Sequence, residues 1–156
     1  MRGAVVAELA EGFARHAEAL GLDGATLRYE GERPTVDELE SLLDRDVERG
    51  TTGTGPHLHD FALSAGTRDL RRFGSQGEQR LTVLALLLTE AEALSERREP
   101  PLLLLDDVLS ELDRTRRAVL VERLRPLGQS VITATAPEAL PVEPDQLVEV
   151  TPGQAA

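Results

Sequence analysis

The chain has 156 residues, a hydrophobic content of 40%, no cysteine and a formal net charge of −11 at pH 7. This length and apolar content predict one globular domain with its own core, and the absence of cysteine excludes disulfides and thiolate metal sites. No apolar run reaches the length that a membrane crossing needs, so we expect a cytoplasmic protein without a membrane partner.

The first 60 residues show short helical patterns separated by turn residues. The apolar spacing predicts a helix from Ala4 to Leu20, and a short strand is expected from Thr26 to Tyr29. A second helix is predicted from Asp37 to Glu48, with Thr35 at its start and Gly50 at its end.

The next segment is rich in glycine but lacks a phosphate-binding lysine. Residues 50–55 superficially suggest a P-loop, yet all 17 basic residues of the chain are arginine, so the cation that reaches the β- and γ-phosphates is missing. We interpret these residues as a turn before a weak strand from Phe61 to Ser64. His57, His59 and Asp60 raise the alternative of a metal site, because His-x-His on a strand points both rings to one face, but no fourth ligand is evident.

A glycine-bearing loop from Phe73 to Arg80 opens an apolar helix predicted from Gln76 to Arg97. The free N–H groups and the positive dipole end of a helix start can bind an anion, and glycine lets a phosphate approach the backbone. The alternative is a capping box, because Ser75 and Glu78 have the Ser-x-x-Glu spacing that satisfies these N–H groups without a ligand.

Three arginines precede this loop: Arg68, Arg71 and Arg72. Guanidinium groups bind phosphates in a bidentate manner, so this cluster could contact DNA. The alternative is a solvated surface, which is the usual meaning of a charge run, and the net acidic chain opposes broad binding to nucleic acid.

Four leucines, Leu102 to Leu105, lead directly into Asp106 and Asp107. A run without alternation predicts a strand covered on both faces, as in parallel α/β sheets, whose ligands lie beyond the carboxyl ends of the strands. Carboxylate oxygens suit Mg²⁺, which keeps most of its waters. The alternative is a core strand that simply meets solvent at an acidic turn.

The remaining pattern continues the alternation of helices and strands. A helix is predicted from Asp113 to Leu127, with Asp113 as its N-cap and Gly128 after its end. Strands are predicted from Ser130 to Thr135 and from Gln146 to Val150, so the second half should form a parallel sheet.

The order of these motifs resembles that of an ABC-type ATPase head. The loop from Ser75 to Arg80, which opens a helix, resembles the signature loop. The leucine strand with Asp106 and Asp107 resembles the Walker B strand, and the turn from Ser110 to Asp113 resembles the D-loop. More narrowly, the chain resembles the RecF family of bacterial DNA replication and repair proteins. The residues that carry this narrower match are Arg49 to Thr52, Gly55 to His57, Arg68 to Phe73 and Val131 to Thr135.

The resemblance implies an α/β fold: the C-terminal portion of an ABC-type head, with a largely parallel sheet flanked by helices and without the P-loop half. Residues 1–60 would form a helical, lid-like segment of the head. Residues 61–150 would hold the signature, Walker B and D-loop portion, and residues 151–156 would form a disordered tail.

The resemblance also implies the roles of individual residues. Asp106 matches the Walker B aspartate that holds Mg²⁺ through water, and Asp107 matches the catalytic carboxylate that polarises the attacking water. The signature residues that contact the γ-phosphate of ATP on a partner subunit are Ser75 and Gly77, with Gln76 and Glu78 in the same loop. Ser110 and Asp113 match the D-loop at the dimer interface.

Because no Walker A motif is present, we expect the chain not to hydrolyse ATP alone. We expect it to supply its signature and Walker B residues to ATP and Mg²⁺ that are held by a Walker A motif on another polypeptide or a second subunit. The resemblance implies action on single-stranded or gapped duplex DNA in recombinational repair and the SOS response, with mediators of the RecR and RecO type. The alternatives are a non-enzymatic interaction module and a truncated remnant of an SMC or ABC-type head.

Two departures from the family pattern are visible. Many ABC ATPases have a switch histidine after the last core strand, where this chain has Thr135-Ala136-Pro137. After His57 the family usually continues with Arg-Asp-Asp, whereas Leu58-His59-Asp60 follows here, so one cation is lost.

Overall fold

In a computed structural model, which describes residues 2–151 and 153–155, the chain divides into two compact units, Met1–Thr89 and Glu90–Ala156. The helices are α1 (Arg2–Ala19), α2 (Val36–Arg49), α3 (Leu70–Phe73), α4 (Gln76–Arg97) and α5 (Arg114–Leu124). The strands are β1 (Ala25–Glu30), β2 (Asp60–Ala65), β3 (Arg68–Asp69), β4 (Leu103–Leu105), β5 (Ser130–Ile132), β6 (Val150–Thr151) and β7 (Gln154–Ala155). The boundary predicted near residue 60 falls inside the first unit.

The first unit contains a three-stranded antiparallel sheet in the order β1-β2-β3. The pairing of β1 with β2 runs from Ala25 opposite Ala65 to Glu30 opposite Asp60. Helix α1 packs against β1, and its side chains Phe13 and Ala17 are fully buried. The strands predicted at residues 26–29 and 61–64 are therefore present, each slightly longer than expected.

Helix α2 has strong local signals but no buried residue. Its N-cap, Thr35, forms a capping box with Glu38, and Gly50 ends the helix in the left-handed conformation at φ 66°. The predicted positions of Thr35 at the start and Gly50 at the end are confirmed. One side of the helix carries an exposed apolar stripe, formed by Val36, Leu39, Leu43 and Val47.

The second unit contains the parallel pair β4 and β5, in which Leu103 lies opposite Ser130 and Leu105 opposite Ile132. Helix α5 and a short 3₁₀ helix, Arg125–Leu127, connect these strands. The fully buried side chains here include Leu109 and Leu120. A parallel strand pair joined by a helix confirms the predicted α/β class.

The leucine strand differs from expectation in its burial. Leu103 and Leu105 are buried, but Leu104 is 71% exposed and Leu102 is 55% exposed, so the prediction that both faces are covered is wrong for the described chain. The physical reason is the strand's alternation: Leu103 and Leu105 face the core, whereas Leu104 points to the opposite face beside Val131, which is also exposed.

The C-terminal residues also differ from expectation. Of the strand predicted at residues 146–150, only Val150 lies in a strand. In the predicted tail, β6 pairs antiparallel with β7, and Gly153 turns the chain between them at φ 82°. Pro152 and Ala156 lie outside the described residues. Within the described ranges, no helix combines the length and apolar character that a membrane crossing needs.

Candidate functional site

Asp106 and Asp107 follow β4 directly, and Thr133 follows β5 directly. Because the two strands are parallel, their carboxyl ends meet at the same edge of the sheet. The Thr133 backbone N–H donates to the Leu105 carbonyl oxygen at 3.0 Å, which extends the ladder by one bond. This places the Thr133 side chain beside the aspartate pair.

The Thr133 hydroxyl bridges the two aspartates. It donates to Asp106 Oδ1 at 2.5 Å and accepts the backbone N–H of Asp107 at 2.9 Å. One hydroxyl thereby orients the carboxylate of the first aspartate and the backbone of the second.

Asp107 has a left-handed backbone, with φ 48°, and it alone among the described non-glycine residues has a positive φ. Aspartate tolerates this region better than most side chains, and such outliers cluster at functional sites. Its carbonyl oxygen accepts the Ser110 hydroxyl at 3.0 Å. The backbone N–H and the carbonyl oxygen of Asp107 are therefore both hydrogen-bonded to side chains. The N–H bonds Thr133, after β5, and the carbonyl oxygen bonds Ser110, in the turn after β4.

Both carboxylates are exposed to solvent. Among the described hydrogen bonds, Asp106 Oδ1 accepts from Thr133 and Oδ2 accepts none, and hard oxygen donors of this kind fit Mg²⁺. Within residues 2–151 and 153–155, no group of three or more histidine, cysteine or acidic side chains could hold a metal ion.

Asp113 also has a local structural role. Its carboxylate accepts the Arg116 backbone N–H at 2.9 Å and caps α5, while its second oxygen pairs with the Arg116 guanidinium at 3.1 Å. The predicted N-cap is confirmed.

The loop before α4 forms the capping box that the sequence offers as an alternative to an anion site. The Ser75 N–H donates to Glu78 Oε2 at 2.8 Å, and the Glu78 N–H donates to Ser75 Oγ at 3.2 Å. Ser75, Gln76 and Gly77 are nevertheless exposed, and a Cβ added at Gly77 would meet no atom within 4 Å. The cap fixes the loop while leaving open space beside its glycine.

Arg68 binds this loop from the preceding strand. Its guanidinium donates to both Glu78 oxygens, at 2.5 and 3.1 Å, and to the Phe73 carbonyl oxygen at 3.3 Å. The hydrogen bonds from Arg68, followed by those from Ser75, lower the pKa of Glu78 from 4.5 to about 2. Glu78 is thus ionised and already bonded, and it acts on the shape of the loop.

The other two arginines of the cluster differ in their contacts. Arg71 donates to both oxygens of Asp60, at 2.5 and 3.2 Å, and lies over the Phe61 ring; the pKa of Asp60 is lowered by that hydrogen bond. The Arg72 side chain is 80% exposed and reaches Asp69 only at 3.9 Å. Of the three arginine side chains, that of Arg72 is the most exposed.

The histidines raised as a metal site bind other groups. His57 Nε2 lies 3.1 Å from the Thr52 carbonyl oxygen. His59 Nδ1 lies 2.5 Å from the Tyr29 hydroxyl, and the two rings meet edge to face. These contacts support the interpretation that the histidines are bonded locally.

No protein-family model matches the chain. It is 37% identical over 142 residues to the DNA replication and repair protein RecF of Geobacillus sp. (strain WCH70), covering 80% of this chain and 37% of that protein. It is 45% identical over 131 residues to RecF of Symbiobacterium thermophilum, covering 83% of this chain and 35% of that protein. The chain thus spans about a third of the length of the curated relatives it matches.

Solved structures give the same relationship. The recombination mediator protein RecF with ATP, in the RecFOR pathway, superposes with a TM-score of 0.69 at 26% identity, covering 92% of this chain and 42% of that one. An SMC head bound to the C-terminal winged-helix domain of ScpA has a TM-score of 0.50 at 17% identity and covers 81% of this chain and 34% of that one, so it shows the shared fold alone.

Proposed function

Because the chain belongs to the RecF family of DNA replication and repair proteins, in which it corresponds to the C-terminal part, we propose that it supplies the signature and Walker B motifs of an ATPase whose Walker A motif lies on another polypeptide. The observation that carries this proposal is the aspartate pair at the carboxyl edge of β4, held by Thr133. Because the chain has no lysine, the Walker A lysine that binds the β- and γ-phosphates must come from another polypeptide.

In this proposal Asp106 holds Mg²⁺ through water and Asp107 orients the water that attacks ATP. The bound cation would neutralise charge on the phosphates. Asp107 is exposed, and both its backbone N–H and its carbonyl oxygen are hydrogen-bonded. The backbone that carries the carboxylate is therefore held in place at the edge of the sheet. Positioning of this kind is the main contribution that a protein makes to phosphoryl transfer.

The Ser75 to Glu78 loop would contact the γ-phosphate of ATP held by the partner. Ser75, Gln76 and Gly77 are exposed at the start of the 22-residue helix α4, where backbone N–H groups attract anions. Glu78 would act indirectly, since Arg68 and Ser75 already occupy its carboxylate. Ser110 would keep its bond to Asp107 while the turn up to Asp113 faces the second subunit.

The biological setting is proposed from the relatives. The family members are named DNA replication and repair proteins, and the solved relatives are placed in the RecFOR pathway. We extend this to action on single-stranded or gapped DNA in the cytoplasm, in recombinational repair and the SOS response, with mediators of the RecR and RecO type. Among the arginines predicted to contact DNA, Arg72 is the most exposed.

The test is ATP turnover by this chain mixed with the P-loop-bearing N-terminal part of Symbiobacterium thermophilum RecF. Turnover should require both parts and should fall by roughly 10²-fold or more in Asp107→Asn. Asp23→Asn, at an exposed acid in the first unit, is the matched control and should leave turnover unchanged. Equal turnover by Asp107→Asn and the unsubstituted chain would refute the catalytic role.

A second candidate is a non-enzymatic interaction module, which the exposed apolar stripe of α2 favours. Leu43→Ser on that stripe separates the two functions. ATP turnover by an ATPase half would depend on Asp107. An interaction module would lose partner binding in Leu43→Ser and would keep it in Asp107→Asn.

A further inference from the structure

The hydroxyl of Thr133 is the one group that contacts both aspartates of the proposed Walker B pair among the described hydrogen bonds. A threonine hydroxyl has one proton and two lone pairs. Its proton goes to Asp106 Oδ1 and a lone pair accepts the Asp107 N–H, so both bonds can exist together. Thr133 is separated from these residues by 27 and 26 positions in the chain, and only the parallel pairing of β4 with β5 brings them together.

The bond to Asp106 determines which carboxylate oxygen remains for a cation. With Oδ1 bound to the hydroxyl, Oδ2 is left to accept from a cation-bound water, and rotation of the carboxylate about its terminal bond is restricted. Threonine suits this task because its branched Cβ restricts the side chain to few rotamers. Its backbone is also fixed, since the Thr133 N–H donates to the Leu105 carbonyl.

The bond to Asp107 supports an unfavourable backbone. A non-glycine residue at φ 48° persists only where the surroundings hold it. Ser110 holds the carbonyl side of Asp107, and Thr133 holds the N–H side. Loss of the Thr133 hydroxyl would free the N–H, and the peptide before Asp107 could then rotate and redirect the carboxylate.

We propose that Thr133 is a positioning residue for the reaction, which sets the orientation of the Asp106 carboxylate and the backbone of Asp107 through one hydroxyl. This inference rests on the proposed roles of the two aspartates. It adds a residue from a different strand to the site and predicts that the hydroxyl, not the methyl group, carries the effect.

The test compares Thr133→Val, which keeps the shape and removes the hydroxyl, with Thr133→Ser, which keeps the hydroxyl. Thr135→Val, two residues further along, is the matched control. The first readout is hydrogen exchange of the Asp107 amide, measured by NMR on the full 156-residue chain. Exchange should be about tenfold faster in Thr133→Val and close to the unsubstituted rate in Thr133→Ser and Thr135→Val.

The second readout uses Mn²⁺ as the cation probe, in the presence of ATP and the P-loop-bearing part of a RecF relative, and follows paramagnetic broadening of the Asp106 and Asp107 amides. Thr133→Val should require about tenfold more Mn²⁺ for the same broadening, and Thr133→Ser should restore the response. Asp106→Asn should weaken it at least as much as Thr133→Val does.

The outcomes separate this inference from the proposed function. Selective broadening that is equal in Thr133→Val and the unsubstituted chain would overturn the positioning role and leave the cation role of Asp106 standing. No selective broadening in the unsubstituted complex with ATP would overturn that cation role and the positioning role with it. A Thr133→Ser variant that behaves like Thr133→Val would also overturn the inference, because the hydroxyl would then not be the group that matters.

Discussion

The guanidinium of Arg68 holds the carboxylate of Glu78 with two hydrogen bonds, at 3.1 and 2.5 Å. It also bonds the carbonyl oxygen of Phe73, so one side chain spans both ends of the loop that opens α4. An arginine that the sequence suggests as a DNA contact thus serves the loop that is proposed to meet ATP.

Arg68→Lys tests this arrangement with the charge retained. Lysine cannot form the planar two-bond contact, so the loop should lose its fixed shape, and turnover in the reconstituted ATPase should fall roughly 10- to 100-fold. Thermal unfolding should change little, because the Arg68 and Glu78 side chains are both partly solvated, at 46% and 26% exposure, and ion pairs of this kind contribute little to stability. Arg72→Lys is the control, and an equal loss of turnover in that variant would contradict the assignment.

The pKa of Glu78 gives a prediction for pH. Its folded value is lowered from 4.5 to about 2, so this carboxylate contributes stability that is present above pH 4.5 and lost as the pH falls toward 2. An NMR titration of the Glu78 side chain should therefore show a midpoint near the lower value. Arg68→Ala should move that midpoint up toward the ordinary range, and a normal midpoint in the unsubstituted chain would disprove the pairing in solution.

The two glycines of the loop should respond differently to alanine. A Cβ at Gly74 would clash with the Leu70 carbonyl oxygen, whereas one at Gly77 would enter open space. Gly74→Ala should destabilise the chain, while Gly77→Ala should leave stability unchanged or raise it by up to about 1 kcal/mol, since Gly77 is helical. If the space beside Gly77 admits phosphate, Gly77→Ala should still abolish turnover with the P-loop part. Stable folding with full turnover would remove Gly77 from the site.

The leucine strand offers a contrast between neighbouring residues. Leu103→Ala should lower the free energy of unfolding by about 2–5 kcal/mol, because it leaves a cavity in the core. Leu104→Ala should change it by less than about 0.5 kcal/mol, since Leu104 is mostly exposed. Denaturant unfolding of both variants measures the difference, and equal losses would mean that the outer face of β4 is covered in solution.

Local signals account for what the sequence predicts well. Helix α4 has the predicted bounds, Asp113 caps α5, and Thr35 and Gly50 bound α2, because capping chemistry depends on residues a few positions apart. The order of motifs also indicated the family, which the similarity to RecF proteins confirms.

Contacts between distant residues account for what was missed. The pairing of Arg68 with Glu78, the bridge from Thr133 to the aspartates and the antiparallel sheet of the first unit all depend on tertiary structure. The run of leucines suggested burial on both faces, yet composition alone does not reveal what lies over a strand, and Leu104 is exposed.

Calorimetric titration with ATP in the presence of Mg²⁺ tests the central claim most directly, with this chain alone and then with the P-loop-bearing part of a RecF relative. The chain alone should show no binding, because it has no lysine to grip the phosphates, and binding should appear when both parts are present. Micromolar affinity for ATP in the chain alone would contradict the account.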